Sequence, residues 1–274
     1  MGFSAPTDRI IGAGAPGPGA AKTPEADGMR MAGAVALTIE VDDLGYEAGG
    51  RAILAGLTLA CSARRIGVVG RNGSGKSTLA RLLAGLLAPT SGRIRVGDVD
   101  VFRDRRAALD RVGILFQNPE HQIIFPRVAE EIAFGLRQQG FGKTEAAERC
   151  EAVLRSFDKA HWKDAPVSAL SQGQKHLLCM MAVLAMRPRL LILDEPYAGL
   201  DIPTRRQLGR YLRRADTQTL HISHDPGDLE DCDRLFWLDR GRIIAEGPPA
   251  GVLPDFIAEM VRLGDLDDIA DVPG

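Results

Sequence analysis

The segment Gly70-Arg71-Asn72-Gly73-Ser74-Gly75-Lys76-Ser77 constrains this chain more than any other. It follows a short apolar run, Ile66-Gly67-Val68-Val69, and it opens a stretch, Ser77–Leu87, with apolar residues at helical spacing. In that order of strand, glycine loop and helix, backbone N–H groups can wrap a phosphate chain while the helix points its positive end at the same anion. In this G-x-x-x-x-G-K-S arrangement Lys76 is expected to contact the β- and γ-phosphates and Ser77 to ligate Mg2+. Gly70, Arg71, Asn72, Gly73, Ser74, Gly75 and Thr78 complete the expected nucleotide contacts.

A second apolar run, Leu190-Leu191-Ile192-Leu193, ends in Asp194-Glu195-Pro196. Two carboxylates at the C-terminal end of a buried strand lie where ligands bind in open α/β sheets. Asp194 is expected to hold Mg2+ and Glu195 to polarise an attacking water. The remaining pattern agrees with such a sheet. Val35–Val41 alternates as an edge strand would, and Ile94–Val96, Val112–Phe116 and Thr219–Ile222 are further strand candidates. Leu235–Leu238 and Arg242–Ala245 predict a closing hairpin through Asp239-Arg240-Gly241. Residues 127–180 are mainly helical, so the fold class is α/β, a largely parallel sheet with a helical insertion.

Composition narrows the function. The 36 acidic and 34 basic residues nearly cancel, which argues against a protein built to neutralise nucleic-acid phosphates. Nine Phe, three Tyr and two Trp leave little for a base-stacking platform. Cys61, Cys150, Cys179 and Cys232 form no CxxC pair and read as reduced thiols rather than a disulfide or zinc framework. The longest apolar run, Leu177 to Met186, falls short of the roughly 20 residues that span a bilayer. Residues 1–35 are rich in Gly, Ala and Pro without apolar periodicity, and are expected to be a disordered extension. A chain starting at Met29 or Met31 is therefore expected to fold and hydrolyse ATP normally. Residues 251–274 read as a C-terminal tail, acidic from Asp265 onward.

Leu170-Ser171-Gln172-Gly173-Gln174, upstream of the Asp-Glu strand, resembles the signature sequence of ATP-binding cassette (ABC) proteins. Gln117 (the Q-loop), Ala198-Gly199-Leu200-Asp201 (the D-loop) and His224 (the switch histidine) are similar to that family in order and spacing. The resemblance implies a RecA-like phosphate-loop core over residues 36–250, with an inserted helical subdomain at about 118–171. It implies Mg2+-dependent ATP hydrolysis with Glu195, His224 and Gln117 as catalytic residues, and Ser77, Gln117 and Asp194 at the metal. It also implies that Ser171 and Gly173 bind the γ-phosphate held by a second ATPase subunit, and that Tyr46 can stack on adenine. An ordinary hairpin aromatic is the equal alternative for Tyr46. Departures are Gln172, where the family usually has Gly, the Lys175-His176-Leu177-Leu178 run, and Ala198-Gly199 in the D-loop.

The stretch from Gln117 to Pro126, followed by Glu130-Glu131-Ile132-Ala133-Phe134-Gly135, is similar to energy-coupling factor importers. That resemblance implies an integral-membrane coupling subunit docking near Ile123, Ile124 and Phe125, and a membrane substrate-binding subunit. It also implies a peripheral location on the cytoplasmic face of the membrane. Arg64–Gly70 and Lys175-His176-Leu177 look most like the biotin-type member, with cobalt or nickel uptake as the alternative. A soluble ABC ATPase acting on another macromolecule and a phosphate-loop small-molecule kinase are the other classes these motifs leave open.

Overall fold

The computed structural model describes residues 36–265. The stretch 1–35, read from sequence as an extension, and residues 266–274 lie outside the described residues. The chain opens with a hairpin, β1 (Ile39–Ala48) and β2 (Arg51–Cys61), turned by Gly49 and Gly50 at φ 57° and 73°. Next come β3 (Arg65–Val69), α1 (Lys76–Leu83), β4 (Ser91–Val96), β5 (Val99–Asp100), α2 (Arg105–Arg111) and β6 (Val112–Leu115). Helices α3 (Val128–Gln138), α4 (Lys143–Ser156) and α5 (Gln172–Ala185) follow. The last third alternates: β7 (Leu190–Asp194), α6 (Ile202–Arg214), β8 (Gln218–Ser223), β9 (Arg234–Asp239), β10 (Arg242–Gly247) and α7 (Pro249–Gly264).

Two sheets result. One is antiparallel, in the order β2-β1-β4-β5. The other runs β10-β9-β3-β8-β7-β6 and is parallel except for β10. Period-two alternation sorts β7 between two cores: Leu190 and Ile192 face α1 and the antiparallel sheet, whereas Leu191 and Leu193 join α3, α4, α5 and α6. Helix α1 is thus walled by both sheets through Leu79, Ala80, Leu82 and Leu83. The insertion has no separate core. Its Ile132, Leu136, Cys150 and Leu154 pack in one cluster with Leu178 and Met181 of α5.

Two expectations are corrected. The first strand is not an edge: β1 hydrogen-bonds to β2 on one side and to β4 on the other. Alternation in sequence reports one buried face and carries no count of neighbouring strands. Of residues 251–274, read as a tail, those up to Gly264 instead belong to α7, with Val252, Leu253 and Phe256 buried against Val69, Leu229, Leu235 and Trp237. Pro249 sits at the helix start, where a missing N–H costs nothing, and Pro254 lies inside. The prolines mask an apolar spacing whose burial against Trp237 outweighs them; Phe256 meets the Trp237 ring edge-on at 5.5 Å. The four cysteines are free thiols.

Candidate active site

The phosphate loop leaves β3 at Val69 and is shaped by its glycines. Gly73 and Gly75 adopt φ of 79° and 104°, conformations that disfavour any side chain. A Cβ at Gly75 would stand 2.7 Å from Leu54 Cδ2. Helix α1 then starts at Lys76 with neither a side-chain cap nor an acid in its first turn. Its first N–H groups are therefore free to take an anion. The β9–β10 turn braces this loop: Gly241 N donates to the Ser74 carbonyl at 3.0 Å, and Ala55 N donates to the Gly241 carbonyl at 3.2 Å. Sequence reading found the turn but not this contact, which joins residues far apart in the chain.

Lys76 is buried. Its Nζ donates to the Gly70 and Arg71 carbonyls at 2.8 and 2.9 Å and lies 3.9 Å from Glu195 Oε1. Burial lowers its pKa, opposed by Glu195 and Asp194. Ser77 Oγ donates to Asp194 Oδ1 at 3.0 Å. Burial pushes the Asp194 carboxyl up, against the pull of the Ser77 hydrogen bond. A buried carboxylate and a hydroxyl in contact are hard oxygen donors of the kind Mg2+ selects, and a dication would relieve the cost of the buried charge. These residues fit the metal.

Glu195 has φ 49°, the left-handed region, which costs a non-glycine residue on the order of 1–3 kcal/mol and is held here by Glu195 N donating to the Ile222 carbonyl at 2.9 Å. The turn aims its carboxylate into the site. Gln117 Nε2 lies 3.3 Å and His224 Nδ1 3.1 Å from Oε2, while Oε1 faces Lys76. Glu195 is 11% exposed and His224 53%, so the acid is sheltered behind an accessible histidine. A carboxylate held this way can accept a proton from a water entering beside Gln117 and His224. His221, three residues earlier and on β8, points away. It is buried, its pKa is lowered to about 4 by burial, and its ring meets Tyr197 edge-on.

The other expected residues fall elsewhere. Tyr46, on β1, is half-buried against the first core and pairs across the strands with Leu54, the residue that touches Gly75. Ser171 caps α5 by accepting from Gln174 N, and the Gln174 side chain accepts from Ser171 N in return. Gly173 lies against α6; a Cβ there would stand 2.6 Å from Thr204 Cγ2. Asp201 caps α6 by accepting from Thr204 N at 3.0 Å. Among the described residues, no hydrogen bond or ion pair joins Ser171 or Gly173 to the phosphate loop.

The apolar triplet divides. Ile123 packs against the helical cluster, Phe125 meets Phe134 at a tilt with ring centres 5.2 Å apart, and Ile124 is 66% exposed. Ile124 and Phe134 border a cavity of about 470 Å3 with Leu86, Phe116 and Met186, and Phe125 borders a second of about 710 Å3 with Ala133 and Cys150. The buried Glu131 fixes this loop, its Oε2 accepting from Ile124 N at 2.9 Å and Phe125 N at 2.8 Å. Sequence reading quoted Glu131 without giving it a role. Among the described residues no helix is long and apolar enough to cross a membrane.

Residues 56–198 match the ABC transporter family. The "Biotin transport ATP-binding protein BioM" of Rhodobacter capsulatus is 48% identical over 225 residues, covering 82% of this chain and 96% of that protein. The protein of the same name from Rhizobium etli is 38% identical over 214 residues, covering 78% and 95%. The solved structure of cbiO1 from Clostridium perfringens, part of the ABC transporter complex cbiONQ, superposes with a TM-score of 0.69 at 29% identity. It covers 85% of this chain and 96% of that one.

Proposed function

Because this chain belongs to the ABC transporter family of ATP-binding subunits and is an ATPase, we propose that it powers a membrane importer of the energy-coupling factor type that takes up biotin. The observation that carries the chemistry is Glu195, with one carboxylate oxygen shared by Gln117 and His224 and the other facing Lys76. In this reading Lys76 and the N–H groups from Gly73 to Thr78 bind the β- and γ-phosphates of ATP. Glu195 takes the proton of the attacking water as it adds to the γ-phosphate in line with the departing ADP oxygen. His224 and Gln117 orient that carboxylate and the water. Ser77, Asp194 and Gln117 hold Mg2+, which when bound neutralises charge developing on the phosphate oxygens. Tyr46 supports the adenine, one cross-strand step from Gly75.

The signature residues Ser171 and Gly173 act on ATP held by a second ATPase subunit, so hydrolysis belongs to a dimer. Ile124 and Phe125 receive an apolar helix of an integral-membrane coupling subunit, which works with a membrane substrate-binding subunit. The chain then sits peripherally on the cytoplasmic face. Biotin rests on the 48% identical relative.

Burial of Ile124 by such a helix is worth about 1.5–3 kcal/mol. Ile124→Asp is therefore expected to keep ATP binding while losing both copurification from detergent extracts and uptake of labelled biotin. A folded variant that still copurifies and transports removes the docking assignment. Wild-type assemblies that take up Co2+ or Ni2+ instead of biotin replace the substrate, and a chain that never copurifies with a membrane protein points to a soluble ABC ATPase.

A further inference from the structure

The residues just before and after His224 are tied to α6 by one side chain. Arg205 lies in the first turn of α6, its N–H donating to the Asp201 carbonyl at 2.9 Å. Its Nη2 reaches Asp225 Oδ2 at 3.2 Å and also pairs with Asp228 Oδ1. Asp228, whose side chain is only 8% exposed, accepts from Ser223 Oγ at 2.9 Å through its other oxygen. Ser223 Oγ in turn accepts from Asp225 N at 3.0 Å. Both neighbours of His224 are thereby held in one network. The guanidinium lies 5.5 Å from the Tyr197 ring centre, two residues after Glu195, and that ring meets His221.

We propose that Arg205 is a positioning residue for ATP hydrolysis: by clamping Asp225 and Asp228 over Tyr197, it holds the 223–225 backbone so that His224 stays against Glu195. The planar guanidinium suits this task, because one nitrogen reaches two carboxylates while the flat group covers a ring face. A lysine ammonium can also reach two acids, but it has no flat face to lay against the ring. The same turn of α6 carries Thr204, which abuts Gly173 of the Ser171 loop, so the clamp stands between that loop and the histidine. The inference rests on the roles given above to Glu195 and His224.

The test compares kcat and the KM for ATP of the full-length chain, assembled as it hydrolyses ATP, in wild-type and His224→Ala backgrounds. Arg205→Ala is expected to lower kcat roughly tenfold with KM within about twofold, and Arg205→Lys to recover part of the loss. In the His224→Ala background the further loss from Arg205→Ala should shrink to less than about twofold, because a group acting through His224 has nothing left to position. Losing Arg205 leaves Asp228 buried and unpaired, so Asp225→Asn serves as a milder second variant that keeps the Asp228 pair. It should show a smaller loss of kcat that also vanishes without His224. Equal losses in both backgrounds, or unchanged kcat in Arg205→Ala and Asp225→Asn, overturn the clamp and leave the site reading standing. If His224→Ala itself hydrolyses at the wild-type rate, the site reading falls and the inference falls with it.

Discussion

The phosphate loop and the Ser171 loop both lead into a helix N-terminus, yet the chain treats them differently. Around Lys76 the fold converges: β7 delivers Asp194 and Glu195, the loop after β6 delivers Gln117, the loop after β8 delivers His224, and Gly241 braces the backbone. Among the described residues Ser171 hydrogen-bonds within its own helix, in a reciprocal cap with Gln174, and Ser171 and Gln172 are exposed. One half of the machinery is wired within the chain and the other is displayed. The difference is what the proposed second ATPase subunit would explain, each subunit lending its Ser171 loop to the other.

The largest expected effects attack the two halves separately. Glu195→Gln should cut hydrolysis by about 10²–10⁴-fold, the worth of a positioned base, while nucleotide still binds. Lys76→Ala should weaken nucleotide binding by the roughly 1.5–3 kcal/mol of a charge-assisted contact, read as a higher Kd of the isolated chain. Ser171→Arg should abolish hydrolysis and leave that Kd unchanged. Mixing Lys76→Ala chains with Ser171→Arg chains should then restore activity that neither shows alone, since a mixed pair of a twofold dimer retains one intact site. No recovery on mixing, with both variants folded, would break the comparison.

Much of the first half was legible in sequence, because its chemistry is local. Glycines of required conformation, a lysine at the helix start and acids at a strand end are all readable from neighbours a few residues apart. Gln117 and His224 were found through the order of motifs, but nothing local says that both meet the same Glu195 oxygen. The braces were not legible. Gly241 and Arg205 act between elements distant in sequence, and Glu131 reaches back from its helix to backbone N–H groups six and seven residues away; their residue types are those of an ordinary turn, an ion pair and a helix surface. The C-terminal helix was missed because Pro248, Pro249 and Pro254 obscure its apolar spacing. Its partner Trp237, which makes the helix worth forming, lies on another element.

A smaller effect sharpens the wired half through its buried charge. Burial raises the folded-state pKa of Asp194 above its unfolded value, so this group's contribution to stability is full below the unfolded pKa and lost as pH rises through the folded pKa. At neutral pH without metal, Asp194→Asn is therefore expected to melt at a higher temperature than wild type. With Mg2+ and ATP the order should reverse, because the wild-type carboxylate gains its cation and the amide does not. Thermal melts with and without Mg2+-ATP check both signs. A variant that melts lower in metal-free buffer would mean that Asp194 is stabilised by contacts other than the cation.

The smallest effect belongs to the displayed half. Gln172 opens α5 beside Ser171, where the family usually has glycine, and it is exposed. Within this chain, Gln172→Gly should cost at most the roughly 0.5–1 kcal/mol of a glycine in a helix, less so near its first turn. A change confined to melting temperature would mean that the side chain faces water in the working assembly. If the Ser171 loop lies on the partner's γ-phosphate, removing the side chain frees backbone approach at that point and hydrolysis should rise, with the Kd of the isolated chain unmoved. Turnover and isolated-chain affinity therefore have to be measured together. A rise in the first with no change in the second locates Gln172 at the junction between subunits, and a shift in the affinity of the isolated chain would put the Ser171 loop over its own nucleotide.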